Sequence, residues 1–425
     1  MERQIEIKHQ IPVECEYDVV VTGGGPAGVC AAVAAARKGA KVLLIEKNGC
    51  VGGIWTAGAL SWVLDAYDKK GIMEEITQAL IKSASGRVAR NNIFIADVEQ
   101  MKLLLENMLA EAKVDLMLHT RLTSAVVENG VLRYVITDSK TGKQAWGGKA
   151  FIDCSGDGDL GALAGCRYEE GREGTGETQP MSLSALVCGL DEDEVREFDN
   201  TLPYGEGKNP KQRLFDEFMR CGVKPSYTLP ALYHMSNDVY MLVANHQYDY
   251  KATNAKDITK ATIEARKEIN LLINALRQGG GVWKNLQLVH TAENIGVREG
   301  RRITGLYRVS EDDLYTGATF EDAVCHINAG IDIHATQKSI GSIEKNDKVT
   351  HPYDIPLRAL IAKDVEGLMM AGRCISGDFR AHSSYRMSGS AAALGEAAGK
   401  AAAWAAQNNK NLHRISKEDF EKIYH

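Results

Sequence analysis

One stretch, Tyr17 to Lys47, constrains the fold of this chain more than any other. Its sequence, YDVVVTGGGPAGVCAAVAAARKGAKVLLIEK, joins a β-branched run, a glycine-rich turn, an alanine-rich helix and a second apolar run. Val19, Val20 and Val21 read as a buried parallel strand, Gly23-x-Gly25-x-x-Gly28 as the turn, Ala27 to Lys38 as the helix and Lys41 to Glu46 as the second strand. Each residue type has a physical reason. Gly23 permits the tight turn, Gly25 lets a pyrophosphate approach the backbone, and Gly28 lets the helix lie close on the sheet, where the helix N-terminus meets the phosphate charge. Pro26 suits a first helical turn, where its missing N–H is not needed. Ala27 follows in the same turn, and Glu46, at the end of the second strand with Lys47 beside it, is placed to accept hydrogen bonds from an adenosine ribose.

The chain has 425 residues, 44% hydrophobic and 25% charged, which suits a large core and two domains. A net charge of −6, with no basic block, argues against nucleic acid as a partner. The start, MERQIEIKHQ, carries charges from residue 2, and no 18-residue uncharged apolar run occurs, so neither secretion nor a membrane span is expected. Nine cysteines without a C-x-x-C suggest reduced thiols in a cytoplasmic setting and no metal site.

Past the first unit, Cys50-Val-Gly-Gly-Ile-Trp-Thr56 suggests backbone close to a ligand at Gly52, Gly53 and Thr56. Met101 to Ala112 reads as a helix, Asp115 to His119 as a strand, Val126 to Thr137 as a hairpin turning at Asn129-Gly130, and Ala150 to Cys154 as another strand. A first part of the cofactor domain is expected over 13–170 and a substrate domain over 171–350, with a charged helix around Lys260 to Arg277. The cofactor domain resumes over 351–410 with a strand and turn at Gly367 to Arg373 and a helix at Ala391 to Gln407, and 411–425 forms a tail. The Ala and Gly positions of that last helix are expected to permit close packing on the sheet.

Three glycine-rich strand ends, Gly23 to Gly28, Ser155 to Gly161 and Ala371 to Asp378, can converge on one long cofactor, because ligands of a parallel α/β sheet sit beyond the carboxyl ends of its strands. The ordered motifs Asp153-Cys-Ser-Gly-Asp-Gly-Asp159, Ile295-Gly-Val-Arg-Glu-Gly-Arg-Arg302, Ser310 to Asp313, Ile331-Asp-Ile-His334, Asp354 to Arg358, Ala371-Gly-Arg-Cys-Ile-Ser-Gly-Asp378 and Leu394 to Gly399 carry a resemblance over most of the chain. It resembles the FAD-dependent oxidoreductases of the glutathione-reductase superfamily, and within it the bacterial group named simply FAD-dependent oxidoreductase. The resemblance implies an α/β chain: a glutathione-reductase-like FAD-binding Rossmann fold with an inserted α+β substrate domain. It also implies FAD contacts at Ser155 and Gly156, at Asp378 toward the flavin ribityl or pyrophosphate region, and at Leu122 toward adenine. The helix N-terminus at Ser388, Gly389 and Ser390 is expected at the flavin pyrimidine carbonyls, where its dipole would favour the reduced state; an ordinary helix cap explains the same residues. Ser155 to Gly161 fits G-x-G-x-x-G, but no second strand and acid follow, so a separate NAD(P) unit is rejected.

Chemistry at a flavin ring requires groups that orient substrate, move a proton and balance anionic charge. Arg298 is the choice among Arg298, Arg301 and Arg302, at least one of which reads as a structural ion-pair partner of Glu299 or Asp312. His334 reads as a core histidine by its apolar neighbours, and as an acid/base or substrate anchor by the resemblance. In His382-Ser-Ser-Tyr385-Arg386, Tyr385 and His382 are candidates to move protons and Arg386 to hold an oxyanion, with a polar loop as the alternative. The expected activity is hydride exchange between flavin N5 and a small organic substrate, hydroxylated or unsaturated, with an electron acceptor that the sequence does not name and a homo-oligomer left open. A flavin monooxygenase and a non-catalytic flavin-binding redox sensor or scaffold are the alternatives.

Overall fold

The computed structural model describes residues 8, 10–204, 207 and 209–424. Of the charged N-terminal stretch only Lys8 and Gln10 fall within it, and His425 of the expected tail lies outside the described residues.

The first half of the chain supplies strand β1 (Val13–Thr22), helix α1 (Pro26–Arg37), strand β2 (Val42–Ile45), helix α2 (Val98–Glu111) and strand β3 (Asp115–Met117). Strands β4 (Arg121–Glu128), β5 (Val131–Ser139) and β6 (Gly142–Asp153) follow. Next come β7 (Ala185–Cys188), β8 (Ala231–Ser236), β9 (Val239–Val243), helix α3 (Ala255–Gly279) and β10 (Gln287–Thr291). Then come β11 (Leu368–Met370), α4 (Phe379–Tyr385) and α5 (Ser388–Asn408), and a short helix at Lys417–Tyr424 lies within the expected tail.

Strands β3, β2, β1, β6 and β11 lie side by side in that order, all parallel. Val19, Val20 and Val21 of β1 are completely buried, as a strand covered on both faces requires. The first half of the long β6 carries the antiparallel β5–β4 hairpin, whose two-residue turn holds Asn129 at φ 51° and Gly130 at φ 80°. From β1 the chain steps outward through β2 to β3, then returns on the opposite side of β1 with β6 and β11. That reversal opens a crevice at the carboxyl ends of β1 and β6. Thr22 and Met370 both pair with Asp153, so the turns that follow β1, β6 and β11 leave the sheet side by side.

Helices α1 and α5 cover one another. The glycines of α5 do not serve the sheet as expected but the helix–helix contact: a Cβ at Gly395 would overlap the Ala27 carbonyl, and one at Gly399 the Ala31 carbonyl. The core of this body also takes in Ile303, Val309, Leu314, Cys325 and Ile327 from the middle of the chain. A second sheet, β8-β9-β7-β10, is antiparallel and has its own apolar core, formed with Leu214, Phe218, Trp283 and the inner face of α3 at Ile269, Leu272 and Leu276.

Candidate functional site

The first turn is built around backbone approach. Gly23 sits at φ 93° with the Cys154 carbonyl against it, and a Cβ at Gly28 would overlap the Gly23 carbonyl, so the start of α1 folds directly onto the turn. Gly25 is the open position: a Cβ there would meet nothing within 4 Å. Buried Glu46 accepts from the Gly24 N–H (2.6 Å) and the Asn48 N–H (2.8 Å), which fixes its carboxylate beside the turn. Gly52 donates its N–H to the Gly24 carbonyl (2.7 Å), and Gly53 brings its Cα side against Gly25, so the expected second glycine pair does lie on the first turn. Thr56 does not face that space, because its buried hydroxyl donates to the Val51 carbonyl (2.6 Å). Lys47 is exposed, within electrostatic range of Asp159, and Leu122 is half-buried against the core opposite Thr137.

Asp153 fastens the second turn. Its buried carboxylate accepts from the Ser155 N–H (3.0 Å), the Ser155 hydroxyl (2.6 Å) and the Gly161 N–H (2.8 Å). Burial pushes its pKa up to about 6 against those bonds. Ser155 is thereby committed inward as well, accepting from the Asp159 N–H (2.8 Å). Gly156, at φ 81°, leaves room for the Arg373 guanidinium, which pairs with Asp157 (2.7 Å) and so joins the second turn to the third. Arg301 reaches the same turn through the Asp157 carbonyl (2.8 Å) and Asp159.

At the third turn, Asp378 caps α4: one oxygen accepts from the Ala381 N–H and the other from the Glu311 N–H, both at 2.7 Å. Arg302 is fully buried and holds the turn from below, donating to the Gly377 carbonyl (3.0 Å), Glu299 (2.6 Å) and the Gly171 carbonyl (2.9 Å). Arg301 and Arg302 are therefore structural, and Asp312 takes no part in pairing them.

Three expectations need correction. The start of α5 is covered by its own chain: the Gly389 N–H donates to the Leu64 carbonyl (2.8 Å) and the Ser390 hydroxyl to Asp65 (2.5 Å), which also pairs with buried Lys69 (2.8 Å). Only the Ser388 hydroxyl is left buried without a partner among the described residues. Tyr385 is fully buried with its hydroxyl on the Ile375 carbonyl (3.0 Å), a strut beneath the third turn. His382 is fully buried too; neither ring nitrogen makes a hydrogen bond among the described residues, although the Arg373 main chain lies beside it. Burial, with Arg302 and Arg386 adding to it, holds His382 neutral far below its ordinary pKa.

The structure instead gathers Arg298, His334 and Arg386 around groups the sequence reading missed. The His334 Nε2 lies 3.5 Å from Asp332, its Nδ1 is 2.9 Å from the His246 Nε2, and the His246 Nδ1 is 3.0 Å from the Tyr248 hydroxyl. Tyr227 stacks on the His246 ring at 4.1 Å and lies 5.6 Å from that of His334. Arg386 donates to the Asp332 carbonyl (2.7 Å) and pairs with its carboxylate (3.1 Å), while Gln179 accepts from the His334 N–H (3.0 Å). Arg298 donates through one nitrogen to the Pro180 carbonyl (2.6 Å) and the Ser182 hydroxyl (2.9 Å). Burial would raise the Asp332 pKa, but His334, Arg386 and Arg298 outweigh it and hold the carboxyl well below its usual range. Burial pulls His334 down to about 4, with Arg298 helping and Asp332 opposing. A weak signal for Asp332 was present, a charged residue between apolar neighbours in Ile331-Asp-Ile-His334; His246, between Asn245 and Gln247, carried none.

A family model described as FAD dependent oxidoreductase matches residues 18–423. The chain belongs to the FAD-dependent oxidoreductase family. It is an FAD-dependent enzyme, which sets aside the non-catalytic alternative. The oxidoreductase is 34% identical over 133 residues to the digeranylgeranylglycerophospholipid reductase of Methanocella arvoryzae, a match covering 28% of this chain and 33% of the relative. It is 32% identical over 201 residues to the tRNA uridine 5-carboxymethylaminomethyl modification enzyme MnmG of Geotalea uraniireducens, covering 42% of this chain and 31% of the relative. The matches thus span about a third of the length of these curated relatives. Among solved structures, the myxobacterial chondrochloren halogenase CndH shares the fold at TM-score 0.51 and 14% identity, with 96% of this chain and 78% of that one covered. A geranylgeranyl bacteriochlorophyll reductase-like protein from Thermoplasma acidophilum shares it at TM-score 0.50 and 14% identity, with coverage of 96% and 83%.

The residues present fit FAD at its ADP end. The open face of Gly25 at the N-terminus of α1 leaves backbone room for a pyrophosphate, and Glu46 stands at the end of β2 where a ribose is met. The adjacent exits of β1, β6 and β11 bring the other two turns to the same edge.

Proposed function

We propose that the oxidoreductase binds FAD in the glutathione-reductase manner and exchanges a hydride between flavin N5 and a small hydroxylated or unsaturated organic substrate. In this reading Arg298, Arg386 and His334 meet the substrate's polar end. The single observation that carries it is the line Asp332–His334–His246–Tyr248. Bound FAD supplies the two-electron step; the accompanying proton is the protein's to move.

The line is suited to that task. The ionised Asp332 favours the tautomer with a proton on His334 Nε2, which leaves Nδ1 to accept from His246 Nε2–H and His246 Nδ1 to accept from the Tyr248 hydroxyl. His334 can then give its Nε2 proton to substrate and be refilled through His246 from Tyr248, whose own proton, held by a pKa that burial raises to about 12, is replaced from solvent as it leaves. The reverse movement serves oxidation of a hydroxyl. Both imidazoles are neutral at pH 7, because burial lowers both pKa values, so a proton passes along without adding a second fixed charge. Gln179 holds the His334 main chain and the stacked Tyr227 keeps His246 in plane.

General acid–base assistance contributes about 10²-fold or more, so His334→Asn is expected to slow substrate-dependent bleaching of the holoenzyme by about 10²-fold with FAD content unchanged. His246→Phe, which removes only the relay, is expected to slow bleaching and shrink the solvent deuterium isotope effect. Anaerobic stopped-flow absorbance measures both. Unaltered kinetics in both variants refute the relay, and a long-lived C4a-peroxide signal on mixing the reduced enzyme with oxygen would favour a monooxygenase instead.

A further inference from the structure

The charges around His334 do not balance. Arg298, Arg386 and Lys211 all act on one carboxylate, Asp332, while Glu299, within electrostatic range of Arg386, is paired with Arg302 (2.6 Å). Both histidines are uncharged, so they contribute nothing to the balance at pH 7. The cations also have unused donors. The Arg386 Nε is buried and has no acceptor among the described residues, and Arg298 commits only one terminal nitrogen, to Pro180 and Ser182. Lys211 lies over the Trp62 ring at 5.8 Å, and Trp62 stacks on Tyr233 at 4.8 Å, which gives the far side of the cluster an aromatic wall. Half-buried guanidiniums with unused N–H groups and too little negative charge favour a ligand that supplies the anion. Their planar forks match a carboxylate.

We propose that the substrate of this site is an organic carboxylate, seated between Arg298 and Arg386 with its remaining carbon skeleton toward Lys211 and the Trp62–Tyr233 wall. The proposal deepens the functional reading above and rests on it. A neutral sugar or alkene leaves the two guanidiniums uncompensated. An inorganic phosphate would cancel the charge, but it carries no carbon that hydride transfer can use. A carboxylate next to a hydroxyl-bearing or unsaturated carbon does both: it neutralises the arginines, and the same guanidiniums stabilise the charge that develops beside it, on the hydroxyl oxygen as its proton leaves or on the carboxylate oxygens as hydride adds to the conjugated double bond.

The test uses the holoenzyme under anaerobic conditions with paired probes, malate against malamide and succinate against succinamide, and inorganic phosphate as a separate arm. Saturable shifts of the flavin absorbance report binding, and bleaching reports turnover. The acids are expected to shift or bleach the flavin at concentrations at least about 10-fold lower than their amides, since a charge-assisted bidentate contact is lost in the amide. Arg386→Gln is expected to erase most of that preference with FAD content intact, and Arg298→Lys, which keeps the charge but not the fork, to weaken it without abolishing it. An equal response to acid and amide, a response to the neutral member alone, phosphate binding as tight as the acids, or silence from every probe would each overturn the proposal. Binding of the acids without bleaching by any substrate upholds the carboxylate site and counts against hydride transfer, so the two readings fail separately.

Discussion

His334, His382 and Tyr385 have similar sequence credentials, yet burial and partners give them different work. Tyr385 has one hydrogen-bond partner among the described residues, the Ile375 carbonyl, with His382 edge-on to its ring at 5.5 Å and the third turn packed on it. Tyr385→Phe is therefore expected to cost about 1 kcal/mol of stability, the worth of one hydrogen bond, and to leave bleaching kinetics unaltered; denaturant unfolding and stopped-flow absorbance check both. His334 has a visible consequence for pH. Its folded pKa of about 4 lies below the ordinary 6.5, so between these values the unfolded chain takes up a proton that the folded one refuses. Stability is lost as pH falls through that window, and by pH 5 His334 alone accounts for about 2 kcal/mol. Asp153 acts in the opposite sense, because its raised folded pKa of about 6 makes the folded state take up protons first. The comparison that isolates His334 is the difference between wild type and His334→Asn: the variant is expected to lose about 2 kcal/mol less stability between pH 7 and pH 5, measured by urea unfolding. None of this was readable from neighbours in sequence. Ile331-Asp-Ile-His334 lies among apolar residues and His382-Ser-Ser-Tyr385 among polar ones, yet neither pattern names a partner, and only the fold sets Asp332 and His246 against His334.

At the scale of elements the sequence was far more legible. Strands β1 and β2, helix α1, the Asn129-Gly130 hairpin and the late strand and helix all lie where periodicity and glycine placement put them, because each is a local pattern: buried runs, a φ that Asn and Gly adopt, a helix of small residues. What the pattern could not specify was the partner. Gly395 and Gly399 read as helix–sheet spacers, but they admit the backbone of α1. An Ala in place of a helix-interior Gly ordinarily gains up to about 1 kcal/mol. At Gly399 the added methyl overlaps the Ala31 carbonyl, and two packed helices must separate to make room. Gly399→Ala is expected to lower stability by about 2 kcal/mol despite its better helix propensity, as overpacking of a close contact does. Thermal unfolding followed by far-UV circular dichroism reads the sign; a rise in Tm would show that the two helices can separate at little cost. The start of α5 carries the same lesson, since only tertiary packing could reveal that Leu64 and Asp65 occupy its first turn.

On the scale of the whole molecule, two large cores divide the labour, and a smaller one, joining Ile95 and Val98 to Ala231, Tyr233 and Met241, links them. The parallel-sheet body presents three turns at one edge, from residues far apart in sequence and locked by Arg373–Asp157, Arg301–Asp159 and Arg302–Gly377. The antiparallel body contributes His246 and Tyr248 just after β9, and the relay closes only when the 331–334 segment meets them. Convergence over such sequence distances explains why the cofactor end was legible and the chemical end was not: glycine motifs are local, whereas His334 and His246 are 88 positions apart. The division predicts how the molecule responds to its cofactor. FAD contacts expected from the turns all belong to the parallel-sheet body, so binding stabilises that body first; at 100 times its Kd a ligand contributes about 2.7 kcal/mol. The second core has its own apolar interior, centred on Phe218, Leu272 and Trp283, and includes no residue of those turns. Scanning calorimetry of protein stripped of FAD is therefore expected to show the parallel-sheet transition moving to lower temperature while the other stays in place, and added FAD to restore it. If both transitions move together by the same amount, the 331–334 segment and its relay couple the two cores into one unfolding unit. Arg386→Gln, which removes the ion pair at the end of α4 with Asp332 while the Asp332 N–H stays on the Ser383 carbonyl (3.2 Å), would then be the variant that loosens that coupling.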